Sequence, residues 1–219
     1  MTIDLAKNKE EFIELAKKYI KRDGIDKVLN WLESTDFYTA PASTQYHLAV
    51  EGGLCQHSLN VFHRMVELAQ WYFKKYEDVY DTQEGEPEVV FNGESLEEAG
   101  SFSMENIAVV ALFHDICKAN CYVKDFKNVK VEGKWTQQEY WKWDEEFVYG
   151  HGTKSVYILQ QFMRLYIDEA QAIRFHMGGK EDQLSDSYDR LFAKVYEKSK
   201  FAVLLYLADN VAAWMDESV

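Results

Sequence analysis

Six side chains of metal-holding types stand at expected helix termini or in apolar surroundings of this 219-residue chain: His57, His114, Asp115, His151, His176 and Asp209. The adjacent pair His114-Asp115 is the most telling. It closes the apolar run Ile107-Ala108-Val109-Val110-Ala111-Leu112-Phe113 and precedes Ile116-Cys117-Lys118. An imidazole beside a carboxylate is costly in such a helix, because buried charges must be paired, hydrogen-bonded or metal-bound. Asp209 repeats the anomaly inside the apolar stretch 203–214. Imidazole nitrogen with carboxylate oxygen suits Mn, Fe, Co, Ni or Zn, and no thiolate set competes. Four histidines and two carboxylates exceed the needs of a closed four-coordinate zinc site. They suit two adjacent ions bridged by Asp115, with positions left for water and substrate. The same residues can also serve a single ion, so the count is one or two.

Two other histidines are weighed against this set. His63 falls six positions after His57, about 120° around a helix, and is set aside. His47 precedes the Gly52-Gly53 break and can reach the mouth of a site.

The elements that must position these residues read as helices. Lys7 to Leu32 forms two amphipathic helices broken near Asp23-Gly24. A long helix is expected over residues 54–76 and another, carrying His114-Asp115, over 104–118. Residues 121–143 alternate around Glu132-Gly133 and predict a β-hairpin. Further helices are expected at 154–164, 168–176, 185–195 and 198–215, the first following Gly150-His151-Gly152. The chain reads as one domain over 1–219, all-α with a small β-hairpin insertion. Within it, 1–39 forms N-terminal helices, 40–215 the core and 77–102 an acidic surface insertion.

Composition narrows the class. No segment is apolar enough for a membrane span, and the first seven residues lack the apolar core of a signal peptide. Cys55, Cys117 and Cys121 lack CxxC spacing and read as reduced thiols of a cytoplasmic protein. The net charge of −13 argues against coating of long nucleic acid. Charge is uneven: residues 77–102 hold nine acids and no Lys or Arg, whereas 118–134 carry Lys118, Lys124, Lys127, Lys130 and Lys134.

The ordered set His57, His114-Asp115, His151, His176 and Asp209 resembles the HD superfamily of metal-dependent phosphohydrolases, whose helical bundles present such ligands to one or two metals. The stretches Gly52-Gly53-Leu54-Cys55-Gln56-His57 and His114-Asp115-Ile116-Cys117-Lys118 strengthen the likeness, which covers roughly residues 40–215. His151 and His176 look like the extra histidines of the dinuclear branch. The Gly-Tyr-Pro signature of the branch that cleaves cyclic di-GMP is absent.

The resemblance implies hydrolysis of a phosphomonoester or phosphodiester of a nucleotide or related small molecule through a metal-bound hydroxide. In that reading Asp115 bridges the ions and the other five residues are terminal ligands. Lys118, one turn beyond His114, meets a phosphate oxygen, and Lys154 is a second candidate. Tyr46 and His47 line one wall of the pocket, and Lys124 with Tyr122, Trp135 and Tyr140 lines another. Alternatives of other classes are an exonuclease on short single-stranded RNA or DNA, a di-iron oxygenase with nearly the same ligands, and a binding module without turnover. The oligomeric state is not legible.

Overall fold

The computed structural model describes residues 3–80, 103–178 and 186–217, excepting the side chains of 73–80 and 186–189. Helix α1 spans Leu5–Tyr19 and α2 Ile25–Glu33. Asp4 starts α1 by accepting the Lys7 N–H at 3.1 Å, satisfying one orphan donor of the first turn. The break between the two helices falls at Gly24, whose φ of 103° is open to glycine and strained for other residues. Then come α3 (Gly53–Tyr80), α4 (Met104–Phe113), strands β1 (Tyr122–Val131) and β2 (Lys134–Trp143), α5 (His151–Gln160), α6 (Ile167–Arg174), α7 (Asp186–Lys198) and α8 (Lys200–Val211). A π-helical turn, Ala212–Asp216, continues α8. The fold is the all-α bundle with a small hairpin that the sequence predicts.

The centre of the bundle is α4, buried at every residue from Asn106 to Phe113. A helix apolar around its whole circumference has to sit inside. Ser103 caps it by accepting the Asn106 N–H at 3.1 Å. Helices α1, α3 and α6 pack on α4, and α8 packs on α3 and α6. Phe12 meets Phe113 edge-on at 5.6 Å and Phe37 at 5.2 Å, fixing α1 against the end of α4 that carries the His-Asp pair.

One expectation fails at that end. The helix predicted over 104–118 stops at Phe113; Asp115 takes φ −104°, ψ 14°, and Ile116–Lys118 forms a 3-10 turn. A continuing α-helix would splay adjacent side chains by about 100°, whereas this turn directs both His114 and Asp115 into one interior cluster. Helix α3 also runs past its expected end to Tyr80, so the acidic stretch begins within it. Residues 81–102 of that stretch lie outside the described residues.

A buried ion pair adds to the apolar contacts that tie the N-terminal helices to the rest. Arg22 donates to both oxygens of Glu169 at 2.7 and 2.8 Å and to Asn106 Oδ1 at 3.1 Å. Glu169 is fully buried and also accepts the Tyr166 N–H at 2.8 Å, closing the first turn of α6. This joins the α1–α2 corner to α4 and α6, whose C-terminal ends carry two of the candidate ligands.

The hairpin pairs in register from Tyr122↔Trp143 to Val131↔Lys134. Its two-residue turn has positive φ at Glu132 (49°) and Gly133 (83°), the mirror-image turn whose twist matches paired strands. Only its base is anchored: Tyr122 is buried, packs edge-on to Trp143 at 5.1 Å and donates its hydroxyl to Ala42 O at 3.1 Å. Most of both strands stands in solvent. No helix among the described residues is long and apolar enough to cross a membrane.

Candidate metal centre

Four histidines arrive from four different helix ends, and in each the outer ring nitrogen is held while the inner one faces the cluster. His114 lies just past α4 and His176 just past α6. His114 Nδ1 sits 2.9 Å from Ala111 O, and His176 Nδ1 2.6 Å from Ile173 O. The same local device serves both: a carbonyl three residues back, orphaned by the helix end, accepts the Nδ1–H. That bond leaves Nε2 with its lone pair inward. His57, in the first turns of α3, has Nδ1 at 3.0 Å from both carboxylate oxygens of Glu217. His151, the first residue of α5, has Nδ1 at 3.2 Å from Cys117 Sγ. Next to it, a Cβ at Gly152 would strike the Ile173 and Arg174 carbonyls. Glycine at 152 therefore lets α5 lie against the end of α6 and brings His151 beside His176, ring centroids 5.0 Å apart.

The inner nitrogens gather around the two oxygens of Asp115. On the Oδ2 side, His114 Nε2 is 3.5 Å and His57 Nε2 3.7 Å away. Asp209 completes this half from α8, its Oδ1 lying 3.2 Å from His57 Nε2 and 4.0 Å from His114 Nε2. On the Oδ1 side, His151 Nε2 is 2.7 Å and His176 Nε2 3.4 Å away. Asp115 thus stands between two half-sets. Despite these distances, Asp115 Oδ1, His151 Nε2 and His176 Nε2 are buried and none is aligned as donor to acceptor. Buried polar atoms that converge without bonding one another are costly, and a shared cation is the simplest group that satisfies them. The donor set fits a divalent transition ion: within each of His57–His114–Asp209 and His114–Asp115–His176, the ligand atoms lie within 4.8 Å of one another. The centre also sits at the C-terminal ends of α4 and α6, where the helix field favours a cation.

The electrostatics without an ion are balanced by protons. Burial opposes charge on His57, but Glu217 and Asp209 outweigh it and raise its pKa to about 10. Burial likewise opposes charge on His151, and Cys117 and Asp115 hold it well above the imidazole range. Burial disfavours charge on Asp115 as well, yet Lys118 and the histidines hold it far below the carboxylate range. Asp209 and Glu217 are also lowered, with His57 outweighing burial in both cases. Burial lowers His114 to about 3 and His47 to about 4, so both are neutral. Three carboxylates therefore face His57, His151 and Lys118 as cations.

The other residues singled out in the sequence divide. Lys118 reaches the cluster, though through the 3-10 turn rather than by continuing α4: its ammonium is 2.7 Å from Asp115 Oδ2 and 2.9 Å from Ala42 O. His47 packs its ring 4.9 Å from that of His57, with a buried Nε2 that has no protein partner. Tyr46, beside it, is exposed. Lys154 is instead turned away, buried with its ammonium 2.8 Å from Glu145 and 3.3 Å from Cys121 Sγ. Its place one turn into α5 points it at the residues flanking the base of the hairpin. Lys124 pairs with Glu139 at 3.0 Å and lies over the Trp141 ring on its own hairpin. Trp135 is 72% exposed near the tip, eight residues up the arm from Tyr122 and so about 26 Å from its base at 3.3 Å per residue. His63 pairs with Glu11 at the surface, outside the cluster.

A shallow cleft of about 420 Å³ opens between residues 44–51 and the hairpin, bordered by Glu51, Lys124, Lys127, Tyr140 and Trp141. It contains none of the six candidate ligands, but one wall is the loop that carries His47.

A bundle whose helix ends direct histidines and aspartates at a shared interior point has the donor groups to hold a divalent metal ion. Residues 54–214 match the family model described as HD domain, and the chain belongs to that family, whose members are metal-dependent phosphohydrolases. Neither the curated proteins nor the solved structures contain a match to the chain.

Proposed function

We propose that the protein hydrolyses a phosphomonoester or phosphodiester of a nucleotide or a related small phosphorylated molecule. The observation that carries this reading is the position of Asp115: one carboxylate oxygen toward His57, His114 and Asp209, the other toward His151 and His176, with Lys118 beside it. Divalent ions held there would activate water as the nucleophile and polarise a phosphoryl oxygen. Asp115 would contribute to both half-sets, and His57, His114, His151, His176 and Asp209 would each contribute to one.

The chain's own groups supply the rest. Lys118 has three N–H donors; two are used on Asp115 and the Ala42 carbonyl, leaving the third for a non-bridging phosphoryl oxygen. With burial opposed by Asp115, its pKa is raised, so it stays cationic and can offset the charge that grows on that oxygen in the transition state. His47, neutral and unpartnered, lines the entrance. Support for a small substrate comes from the net charge of −13 and from the modest cleft beside the His47 loop.

A second reading, exonuclease action on short single strands, draws on Lys124 and Lys127 in that cleft and on the exposed aromatics of the hairpin. Hydrolysis assays with added Mn²⁺ over mononucleotides, cyclic nucleotides and short oligonucleotides test both. Turnover of mononucleotides or cyclic nucleotides supports the first, turnover restricted to oligonucleotides supports the second, and none with any of them contradicts the proposal.

A further inference from the structure

The four inward-facing histidines differ in what holds their outer nitrogen. For His114 and His176 it is a backbone carbonyl, and for His151 a cysteine sulfur, a weak partner. His57 meets a carboxylate. Glu217 is 4% exposed and places both oxygens 3.0 Å from His57 Nδ1. It lies beyond the family-matched span, which ends at residue 214.

Its position is built with some care. The π-helical turn Ala212–Asp216 is closed by the Glu217 N–H donating to Ala212 O at 3.0 Å. Arg64 clamps the turn onto α3 through two bonds to Asp216, at 2.7 and 2.6 Å. Asn60, one turn after His57, donates to Glu217 Oε1 at 2.8 Å. Helix α3 thus presents His57, Asn60 and Arg64 along one face to receive the C-terminal turn.

The geometry points to Glu217 as the positioning residue of His57. It fixes Nδ1–H outward and Nε2 inward and raises the basicity of Nε2 toward a divalent cation, which makes the His57–His114–Asp209 half the tighter of the two. This rests on the metal-centre reading above. A charged acceptor on the outer N–H strengthens an imidazole ligand more than a neutral one, and losing such a partner typically weakens metal binding about 10- to 100-fold.

The test is titration of the metal-free full chain with Co²⁺, followed by calorimetry and by the visible absorption of the bound ion. Glu217→Ala should weaken the first ion about 10- to 100-fold and shift its absorption band. Glu217→Gln, which keeps an acceptor and removes the charge, should fall between it and wild type. Arg64→Met, a surface change that loosens the turn, should move affinity the same way by less. If Glu217→Ala fails to fold, the other two variants carry the test. Affinities within twofold of wild type with an unaltered Co²⁺ spectrum would overturn the inference, even if the metal-free protein melted earlier, since that is the signature of a merely structural contact. A wild-type chain that binds no Co²⁺ would overturn the metal centre itself and this inference with it.

Discussion

The two halves of the centre are built differently. The Oδ2 half draws His57, His114 and Asp209 from α3, α4 and α8, elements packed through the middle of the core, and the side chain of His57 is 1% exposed. The Oδ1 half draws His151 and His176 from the start of α5 and the end of α6, both short helices, and the side chain of His151 is 21% exposed. In one half His57 is backed by a carboxylate; in the other His151 is partly open and backed by a thiol, while the second histidine of each half is backed by a carbonyl. The Oδ1 half meets solvent at His151, whereas His47 and Lys118 stand beside the Oδ2 half. Asp115 is what makes them one centre.

Removing a ligand from each half should separate them. His57→Ala should cost the tighter ion and activity together, by about a thousandfold in kcat/KM if several kcal/mol of charge stabilisation are lost. His151→Ala should keep one ion per chain, measured by elemental analysis, and lose about a hundredfold. Equal metal losses in both variants would break the comparison.

Next in size is Arg22→Met. It leaves Glu169 buried without its counter-charge, at a cost of about 3–5 kcal/mol, read as a lowered midpoint in urea. Because Glu169 starts α6, the surviving folded protein should lose affinity in the His151–His176 half and retain it in the other.

Protons should distinguish the ion-free and ion-bound states. His57 and His151 carry protons that a metal must displace, so affinity should rise with pH, by up to about tenfold per unit for each proton released. The stability of the metal-free protein moves the opposite way. His57 has a folded-state pKa near 10, above its ordinary value of about 6.5. Its contribution is complete below the lower value and is lost as pH rises through the higher one. Thermal melts of metal-free protein between pH 6 and 10 should therefore fall, and a flat profile would contradict the charge balance described here.

The smallest effect is expected at the arm. Lys124→Ala, already paired on its own hairpin, should change kcat on a minimal phosphoester by less than about twofold, as surface substitutions usually do. A large loss would bring the hairpin into the centre after all.

Much of this is legible in the sequence, for physical reasons. His114, Asp115 and Asp209 stand out because charge in an apolar helix has to be explained, and Glu132-Gly133 marks the hairpin because few residue pairs tolerate that turn. Helix ends were less legible. An apolar run followed by Ile116-Cys117 looks like continued helix, and nothing in it announces the turn that lets His114 and Asp115 share a cluster. Lys154 misled by proximity: three residues from a ligand, it faces Glu145. Cys117, Glu217 and Arg22 carry no sequence signal of their roles. A cysteine in an apolar run has the composition of core, Glu217 sits in a short polar end without periodicity, and Arg22 acts through Glu169, 147 residues away. Long-range partners of this kind leave no local pattern.

The measurement that bears most directly on the account is metal content together with Mn²⁺-dependent hydrolysis of a nucleotide panel, for wild type and Asp115→Ala side by side. The account predicts that the variant keeps the helical circular dichroism of the wild type, binds neither ion tightly and turns over none of the substrates that wild type hydrolyses. An Asp115→Ala protein that retains full metal content and full activity would contradict it.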